Sequence, residues 1–237
     1  MRIDIITIFP DIFVPLDVSI VKRAVDKGMV EINIWNLRDF TKDKHKKVDD
    51  TPYGGGKGMV LRCEPVFAAV EHIKKENKNS KVILTTPQGT LFNQNLAKKL
   101  SKTPGLIIIC GHYEGVDERV CSIVDYEISI GDYVLTGGEL PAMVITDCVV
   151  RLLPGVLPEE APVYDSFHQY LLDWPSYTKP SVFKGMRVPE DILSGNHKKI
   201  AQWRKTQAEK RTKERRPVLY RRYIKGEQNG QKDNRRD

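Results

Sequence analysis

The chain has 237 residues, of which 40% are hydrophobic, enough to bury a core in one large domain or two modest ones. Its net charge of +7 is unevenly distributed. The residues from His197 onward include 15 Lys and Arg and 5 Asp and Glu, a net charge of +10, and the residues before His197 have a net charge of −3. No apolar run approaches the roughly 20 residues of a membrane-spanning helix, so the sequence excludes a helical membrane protein and predicts no membrane partner.

The basic end favours a polyanionic partner such as a nucleic acid, and the alternative is a solvated helix whose lysines only aid solubility. The four cysteines form no C-x-x-C pair, which is typical of free thiols in a reduced, cytoplasmic protein. Asp4 interrupts the apolar start of the chain, which therefore predicts a strand and not a signal peptide.

Hydrophobic periodicity and turn residues predict an alternation of strands and helices through the first two thirds of the chain. The predicted strands cover residues 2–9, 30–35, 82–85, 106–110 and 126–130. The predicted helices cover residues 19–27, 64–75, 94–100 and 140–153, with a short helical turn at 119–124. This order predicts an α/β fold with a mostly parallel sheet covered by helices on both faces.

A domain boundary is predicted where prolines cluster after the apolar helix, at Pro154, Pro158 and Pro162. We assign residues 1–157 to a first domain, 158–175 to a linker and 176–237 to a small, basic helical domain. A helix start is predicted at 194–197, Trp203 is assigned to packing, and residues 226–237 are expected to fray.

Residues 37–58 form a long polar segment that ends in Gly54, Gly55 and Gly56. The glycines lack the spacing of a nucleotide triphosphatase loop. Long loops of this kind inside a compact domain are usually functional or disordered, so we expect a mobile loop that closes over a substrate.

The stretch 105–141 carries the strongest functional signal. A solid apolar run, 106–110, predicts a central parallel strand, and glycine-bearing loops follow it at 111–115 and follow the next strand at 131–138. Ligands of open α/β sheets lie beyond the carboxyl ends of the strands, where glycines permit close backbone approach. We therefore expect a side chain added at Gly137 or Gly138 to block a flat ligand. Ordinary tight turns are the alternative for either loop alone.

Ordered motifs along the chain resemble the bacterial tRNA (guanine-N1)-methyltransferases, of the SPOUT superfamily. They are Ile8-Phe9-Pro10, Pro52-Tyr53-Gly54-Gly55-Gly56, Gly111-x-Tyr113-Glu114-Gly115-x-Asp117-Glu118-Arg119, Gly131-Asp132-Tyr133-x-Leu135-x-Gly137-Gly138-Glu139, Asp165-Ser166-Phe167 and Leu193-Ser194-Gly195-Asn196-His197. The resemblance spans residues 2 to about 220. Family members usually carry Arg at the position of His112, and Gln169, Tyr170, Ser176 and Lys179 also depart from the common pattern.

The resemblance implies a sheet tied by a deep C-terminal trefoil knot, a homodimer with shared active sites, and methylation of the tRNA guanine just 3′ of the anticodon. It implies S-adenosylmethionine as the donor, with Mg²⁺ as a possible aid, although no carboxylate cluster of the sequence indicates a metal site. The implied cofactor contacts are Pro87, Gly111, Tyr113, Glu114, Ile130, Gly131, Asp132, Tyr133, Val134, Leu135, Gly137, Gly138 and Pro141. The basic C-terminal helices are expected to clamp the phosphates of the anticodon stem-loop.

The implied catalytic residues are Asp165 and Arg151. Guanine N1 carries a proton at neutral pH, so methylation needs a general base, and the charge that develops on O6 needs a cation or amide donors. From the residues alone, helix capping is the favoured role of Asp165, and a surface position at a helix end is the favoured one for Arg151. Likewise, Glu114 could cap a helix, and Tyr113 and Tyr133 could serve packing.

Two other classes of function compete with this hypothesis. The first is a non-catalytic RNA-binding or assembly factor that keeps the fold, against which the intact glycine loops and the Asp165 motif argue. The second is a methyltransferase acting on a ribose 2′-hydroxyl or on ribosomal RNA, which would lack the segment Asp165-Ser166-Phe167.

Overall fold

The computed structural model describes residues 1–158 and 165–226, which divide into two compact units, residues 1–157 and the residues from Pro158 onward. Helices and strands alternate through the first unit. Its strands are β1 Arg2–Thr7, β2 Glu31–Asn36, β3 Asp49–Asp50, β4 Val60–Leu61, β5 Ser80–Leu91, β6 Gly105–Cys110 and β7 Tyr126–Ser129. Its α-helices are α1 Ser19–Asp26, α2 Cys63–Glu76, α3 Gln94–Leu100 and α4 Glu139–Val150.

Five of these strands form one parallel sheet in the order β2-β1-β6-β5-β7, which confirms the predicted α/β fold with a mostly parallel sheet. Strand β6 lies between β1 and β5, and all six of its residues are buried. A strand that is covered on both faces needs apolar residues at every position, and residues 106–110 are all apolar.

Alternate residues of β6 belong to two separate cores, one on each face of the sheet. Leu106 and Ile108 pack with residues of α1 and α4, whereas Ile107 and Ile109 pack with residues of α2. The period of two follows from strand geometry, in which successive side chains point to opposite faces. Helices on both faces leave the carboxyl ends of the strands as the open edge of the sheet.

Residues 37–58 are more ordered than the sequence predicted. The segment starts with a 3₁₀ helix, Leu37–Phe40, and contains β3, which pairs antiparallel with β4. Leu37 and Val48 are buried, and the carboxylate of Asp43 accepts the backbone N–H groups of His45 and Lys47. Phe40 also packs against this core, so apolar contacts and one side-chain turn hold short elements within a segment that composition marks as a loop.

Strand β5 continues past residue 85, where the strand predicted from the sequence ends. Thr85 and Thr90 both pair with Ile128 of β7, so the four residues between them leave the ladder within one continuous strand. The absence of an N–H on Pro87 suits such a bulge. A Cβ on Gly89 would lie 2.3 Å from the backbone nitrogen of Ile128, which explains the glycine there.

The 3₁₀ helix Pro10–Asp17 was not predicted, and several predicted boundaries shift by one to three residues. Strand β1 ends two residues earlier than expected, and α4 runs over Glu139–Val150 in place of 140–153. Arg151 is the C-cap of α4, and Leu152 and Leu153 follow in a turn. Another 3₁₀ helix, Glu118–Ile123, occupies the predicted helical turn.

The second unit contains short strands and a helical end. Its elements are β8 Val182–Phe183, β9 Met186–Arg187, α5 Glu190–Leu193, α6 His197–Arg215 and α7 Pro217–Ile224, preceded by a kinked 3₁₀ segment, His168–Tyr170. The predicted helix start is confirmed: Asn196 is the N-cap of α6, and its side-chain oxygen accepts the N–H groups of Lys198 and Lys199. Pro162 and residues 227–237 of the predicted frayed end lie outside the described residues.

No helix of the described ranges combines the length and hydrophobicity that crossing a bilayer demands.

Candidate functional site

A cleft of about 470 Å³ lies at the carboxyl ends of β5, β6 and β7. Its walls come from the bulge of β5, from the loop after β6 and from the loop between β7 and α4. Parallel strands that end at one edge bring loops distant in the sequence to one place, which is the usual position of ligand sites in open α/β sheets.

Twelve of the thirteen residues predicted as cofactor contacts line this cleft, and Asp132 does not. The twelve are Pro87, Gly111, Tyr113, Glu114, Ile130, Gly131, Tyr133, Val134, Leu135, Gly137, Gly138 and Pro141. The structure therefore brings together three separate stretches of sequence that were assigned to one ligand.

The individual cofactor contacts named from the sequence omit several polar residues of the cleft walls. They are Thr86, Gln88, His112, Glu118, Glu127, Ser129 and Thr136. Thr86 and Gln88 flank Pro87 in the bulge, and Thr136 lies within the second glycine loop, so their places in the chain were a usable signal. Glu127 lies within β7, and only the register of the sheet reveals that it reaches the cleft.

Carboxylates are the only formally charged groups among the described residues of the lining: Glu114, Glu118 and Glu127 contribute to it, and no lysine or arginine does. All three glutamates are exposed, so each acts weakly and is screened by salt. An acidic cleft suits a ligand with positive charge and disfavours a nucleoside polyphosphate.

Gly137 and Gly138 have a different role from the one the sequence predicted. A Cβ on Gly138 would lie 2.0 Å from Oγ1 of Thr85 and 2.7 Å from the backbone nitrogen of Gly111, and a Cβ on Gly137 would meet His112 and Glu139. The added atoms would therefore collide with the protein itself. The expectation that substitution here blocks a ligand while sparing the fold is not supported by the geometry.

Hydrogen bonds close this contact between the two loops. The N–H of Gly138 donates to the carbonyl oxygen of Gly111 at 2.7 Å, and the hydroxyl of Thr85 lies 3.3 Å from the carbonyl oxygen of Gly138 and 3.1 Å from that of Ile109. The loop 131–138 is thus held to the loop 111–115, and Thr85 of β5 contacts backbone that flanks both.

Tyr113 and Tyr133 both lie at the cleft, and each is partly exposed. Tyr113 has φ of +60°, a strained value for a non-glycine residue that is common at functional sites. The Tyr133 ring lies over Gly131, where a Cβ would be 2.3 Å from its Cε1, and its hydroxyl donates to the carbonyl oxygen of Ile130 at 3.3 Å. Tyr133 therefore packs on its own loop while it lines the cleft.

The glycine-rich end of the 37–58 segment is attached to the cleft through β4. The N–H of Glu114 donates to Met59 and the N–H of Leu61 donates to Gly115, both at 3.0 Å. A Cβ on Gly58 would lie 2.4 Å from the Cγ of Glu114, so this position needs glycine. Movement of the segment would therefore be transmitted to the loop that carries Glu114.

The predicted catalytic residues, Arg151 and Asp165, are not among the described residues that line this cleft. Arg151 is half-buried at the C-terminus of α4, where a cation is favoured by the helix dipole. Asp165 is half-buried at the start of a tight loop in the second unit.

Internal hydrogen bonds hold the loop that begins at Asp165. The Ser166 hydroxyl donates to Oδ1 of Asp173 at 2.7 Å and accepts the backbone N–H of Asp173 at 3.0 Å. Phe167, Gln169 and Tyr170 all have positive φ, and the N–H of Phe167 donates to the carbonyl oxygen of Leu171. Positive φ is energetically unfavourable for residues with side chains, and several such residues in one loop are typical of a functional site.

Helices α6 and α7 carry most of the basic residues of the second unit. Only Ala208 and Thr212 of α6 are buried, so its lysines and arginines are largely exposed. Arg204 lies over the Trp174 ring at 4.8 Å, whereas Trp203 is half-buried beside Tyr177. A basic helical surface with aromatic residues between its cations is typical of nucleic-acid interfaces.

Within residues 1–158 and 165–226, no group of three or more His, Cys, Asp or Glu side chains converges as a metal site would require.

Comparison with known proteins gives consistent matches. The sequence model of the family described as tRNA (Guanine-1)-methyltransferase TrmD matches residues 1–222. A tRNA (guanine-N(1)-)-methyltransferase of Dictyoglomus turgidum is 60% identical over 221 residues, which cover 92% of this chain and 89% of that protein. The proteins of the same name from Thermotoga maritima and Endomicrobium trichonymphae are 55% and 52% identical, over 93% and 92% of this chain and 90% and 99% of theirs.

The contact around Gly138 predicts a structural phenotype. Gly138→Ala is expected to lower the free energy of unfolding by about 1–3 kcal/mol, the usual cost of forcing atoms into a packed site. The matched control is Val134→Ala in the same loop, where the side chain is 91% exposed and the change should stay within about 0.5 kcal/mol. Urea unfolding of both variants without ligand measures the difference. Equal stabilities would show that the two loops are not held by this contact.

Proposed function

The chain belongs to the tRNA (guanine-1)-methyltransferase family, and we propose that it transfers a methyl group from S-adenosylmethionine to N1 of the tRNA guanine immediately 3′ of the anticodon. The observation that carries the donor assignment is the cleft at the ends of β5, β6 and β7. It is lined by carboxylates and backbone-rich glycine loops, and the donor is a cation with a flat adenine ring.

The donor's sulfonium supplies an already activated methyl group, so the protein's contribution on this side is positioning. The loops 111–115 and 131–138 are fixed to one another through Gly111 and Gly138, which gives the cleft a defined shape before ligand arrives. Glu114, Glu118 and Glu127 favour the positive charge of the ligand without needing direct contact.

The acceptor side needs a group that removes the N1 proton. We assign this role to Asp165, a carboxylate that begins a loop held by the Ser166–Asp173 hydrogen bonds. A fixed carboxylate can accept the proton as the N1–methyl bond forms, which leaves the guanine neutral after transfer. Arg151 is the cation proposed to stabilise the negative charge that develops on O6.

Helices α6 and α7 are proposed to bind the phosphates of the anticodon stem-loop. Exposed lysines on α6 include Lys198, Lys199, Lys205 and Lys213. Arg204 is less suited to this role, because its guanidinium already lies over the Trp174 ring. A tRNA substrate also supports a cytoplasmic location.

A homodimer is proposed from an exposed apolar surface on the first unit. Phe9, Ile12, Val14 and Val18 are exposed around the 3₁₀ helix Pro10–Asp17, which contacts α4. Leu140 and Val144 are exposed one turn apart on α4 itself. Contiguous apolar surface of this kind marks interaction sites in soluble proteins.

The deep trefoil knot is a further proposal. It is supported by the seating of residues 131–138 against Gly111 and Thr85 before the chain returns as α4 to pack on β6 and β1. An experimental structure in which this segment can be withdrawn without crossing another loop would argue against it. No step is assigned to Mg²⁺, because the carboxylates described do not converge.

Asp165→Asn tests both the reaction and the base. Asn keeps the size of the side chain but cannot take the proton, so the single-turnover rate on unmodified bulk tRNA should fall by about 10²–10⁴-fold. Asn is also a good helix N-cap, so a capping role predicts almost no change. The assay follows 1-methylguanosine by nucleoside analysis, with calorimetric S-adenosylmethionine binding as the control that should stay intact.

Two outcomes would contradict different parts of that assignment. If wild-type protein forms no 1-methylguanosine, the proposed reaction is wrong. If Asp165→Asn reacts within a few-fold of wild type, the base is another group, such as Asp173 or hydroxide.

The basic surface predicts salt-sensitive binding of tRNA. Each phosphate that is neutralised contributes a slope of about 0.7–0.9 in log K against log salt. Replacing Lys198, Lys199, Lys205 and Lys213 with Ala should flatten that slope and leave S-adenosylmethionine affinity unchanged. The matched control replaces four exposed lysines of the first unit, Lys27, Lys75, Lys78 and Lys102, and removes the same charge. Equal flattening in both variants would place the RNA contacts elsewhere.

The apolar surface predicts a dimer at micromolar concentration in light scattering. Val144→Glu introduces a charge into the exposed apolar turn of α4 and should shift the protein toward monomer, whereas Val218→Glu, at an exposed valine of α7, should not. A wild-type monomer at these concentrations would contradict the proposed assembly.

A further inference from the structure

A buried acid lies directly behind the wall of the cleft. Glu139 is the first residue of α4, is only 3% exposed and is not among the described residues that line the cleft. Its Oε1 accepts a hydrogen bond from the hydroxyl of Thr7 at 2.9 Å. The start of a helix favours a negative charge, yet a buried carboxylate also needs a partner for its second oxygen.

The group that faces this second oxygen is the side chain of His112. Its Nδ1 lies 3.7 Å from Oε2 of Glu139, within the range of an ion pair but longer than a hydrogen bond. Nδ1 of His112 is buried and has no hydrogen-bond partner among the residues that the structure describes. A buried nitrogen without a hydrogen-bond partner thus faces a buried carboxylate oxygen, in a site where an unpaired polar group is costly.

The surroundings leave the His112 ring little freedom. Phe9 and Tyr113 each present a ring at 5.0 Å from it in edge-on geometry. The backbone of Gly137 covers the pair, since a Cβ there would lie 2.3 Å from Oε2 of Glu139 and 2.4 Å from Nδ1 of His112. Burial and the negative charge of Glu139 both raise the pKa of the nearby Cys110 thiol.

The pair also touches both loops of the cleft. His112 belongs to the loop after β6, lines the cleft and forms an isolated β-bridge with Gly137. Its carbonyl oxygen accepts the N–H of Gly115, which closes the turn that carries Tyr113 and Glu114. A shift of the imidazole would therefore move two walls of the site at once.

We infer that Glu139 is a positioning residue for the donor cleft, acting through His112 to fix the loops 111–115 and 131–138 in their ligand-binding arrangement. This inference rests on the proposed function, because the ligand it concerns is S-adenosylmethionine. Glu139 contacts the imidazole of His112 on the side away from the cleft, and His112 itself lines the cleft where the ligand would bind. The pairing also gives a reason for an acid at a buried helix start directly after two glycines.

The test measures S-adenosylmethionine affinity by calorimetry and KM under turnover. Glu139→Gln and His112→Gln should each weaken binding by about tenfold and raise KM for the donor, with KM for tRNA unchanged. The double variant should bind S-adenosylmethionine as tightly as the single variant with the lower affinity, because the free-energy effects of two residues that act through one contact do not add. His112→Arg places guanidinium N–H donors opposite Glu139 and should retain affinity within about threefold.

A control separates positioning from stability. Val149→Ala removes methyl groups from the fully buried side of α4 and should lower the melting temperature by several degrees with donor affinity unchanged. If Glu139→Gln fails to fold, His112→Gln decides the matter, since its side chain is 19% exposed.

The outcomes distinguish the inference from the function on which it rests. Absence of S-adenosylmethionine binding by wild-type protein would overturn the proposed donor and this inference together. Wild-type binding with equal affinity in Glu139→Gln and His112→Gln, or strictly additive losses in the double variant, would overturn the positioning role alone.

Discussion

The close approach of Gly138 to Thr85 and Gly111 is the contact on which the cleft depends. The hydroxyl of Thr85 and the hydrogen bond from Gly138 to Gly111 join three elements at one point: β5 just before its bulge, the loop after β6 and the start of α4. A side chain at Gly138 would separate these elements, because two of the nearest atoms belong to backbone that cannot rotate away. The parallel sheet brings its three strand ends together, and this contact sets the distance between the loops that follow them.

Charge is divided along the chain in a way that suits the two proposed ligands. Residues before His197 carry a net −3 and those from His197 onward carry +10. A cationic methyl donor and a polyanionic RNA would therefore be attracted to different parts of the chain. The donor loses its sulfonium charge when the methyl group leaves, so the carboxylates at the cleft would hold the product less strongly than the substrate. Because these carboxylates are exposed, the effect is modest and is reduced by salt.

The sequence predicted those parts of the fold that are determined by residues close together in the chain. The apolar run 106–110 predicted a central strand, and Asn196 before a helical pattern predicted the start of α6, because burial on two faces and helix capping act on neighbouring residues. The short elements within 37–58 were missed, since few apolar residues, the buried Leu37 and Val48 and the half-buried Phe40, stand among many charged neighbours. Twelve predicted cofactor residues gather at one cleft, but that grouping came from resemblance to a family and not from periodicity.

What the sequence could not predict depends on contacts between distant residues. Gly137 and Gly138 look like a surface on which a ligand could lie, yet the space beside each is filled by other parts of the protein. Glu139 looks like an ordinary acid in the first turn of a helix, where exposure would be the rule. Its burial follows from the return of α4 against β1 and β6, which brings Thr7 and His112 to the two oxygens of one carboxylate. A local pattern identifies which residues are available for chemistry, whereas the path of the chain decides which of them face a ligand and which hold the residues that do.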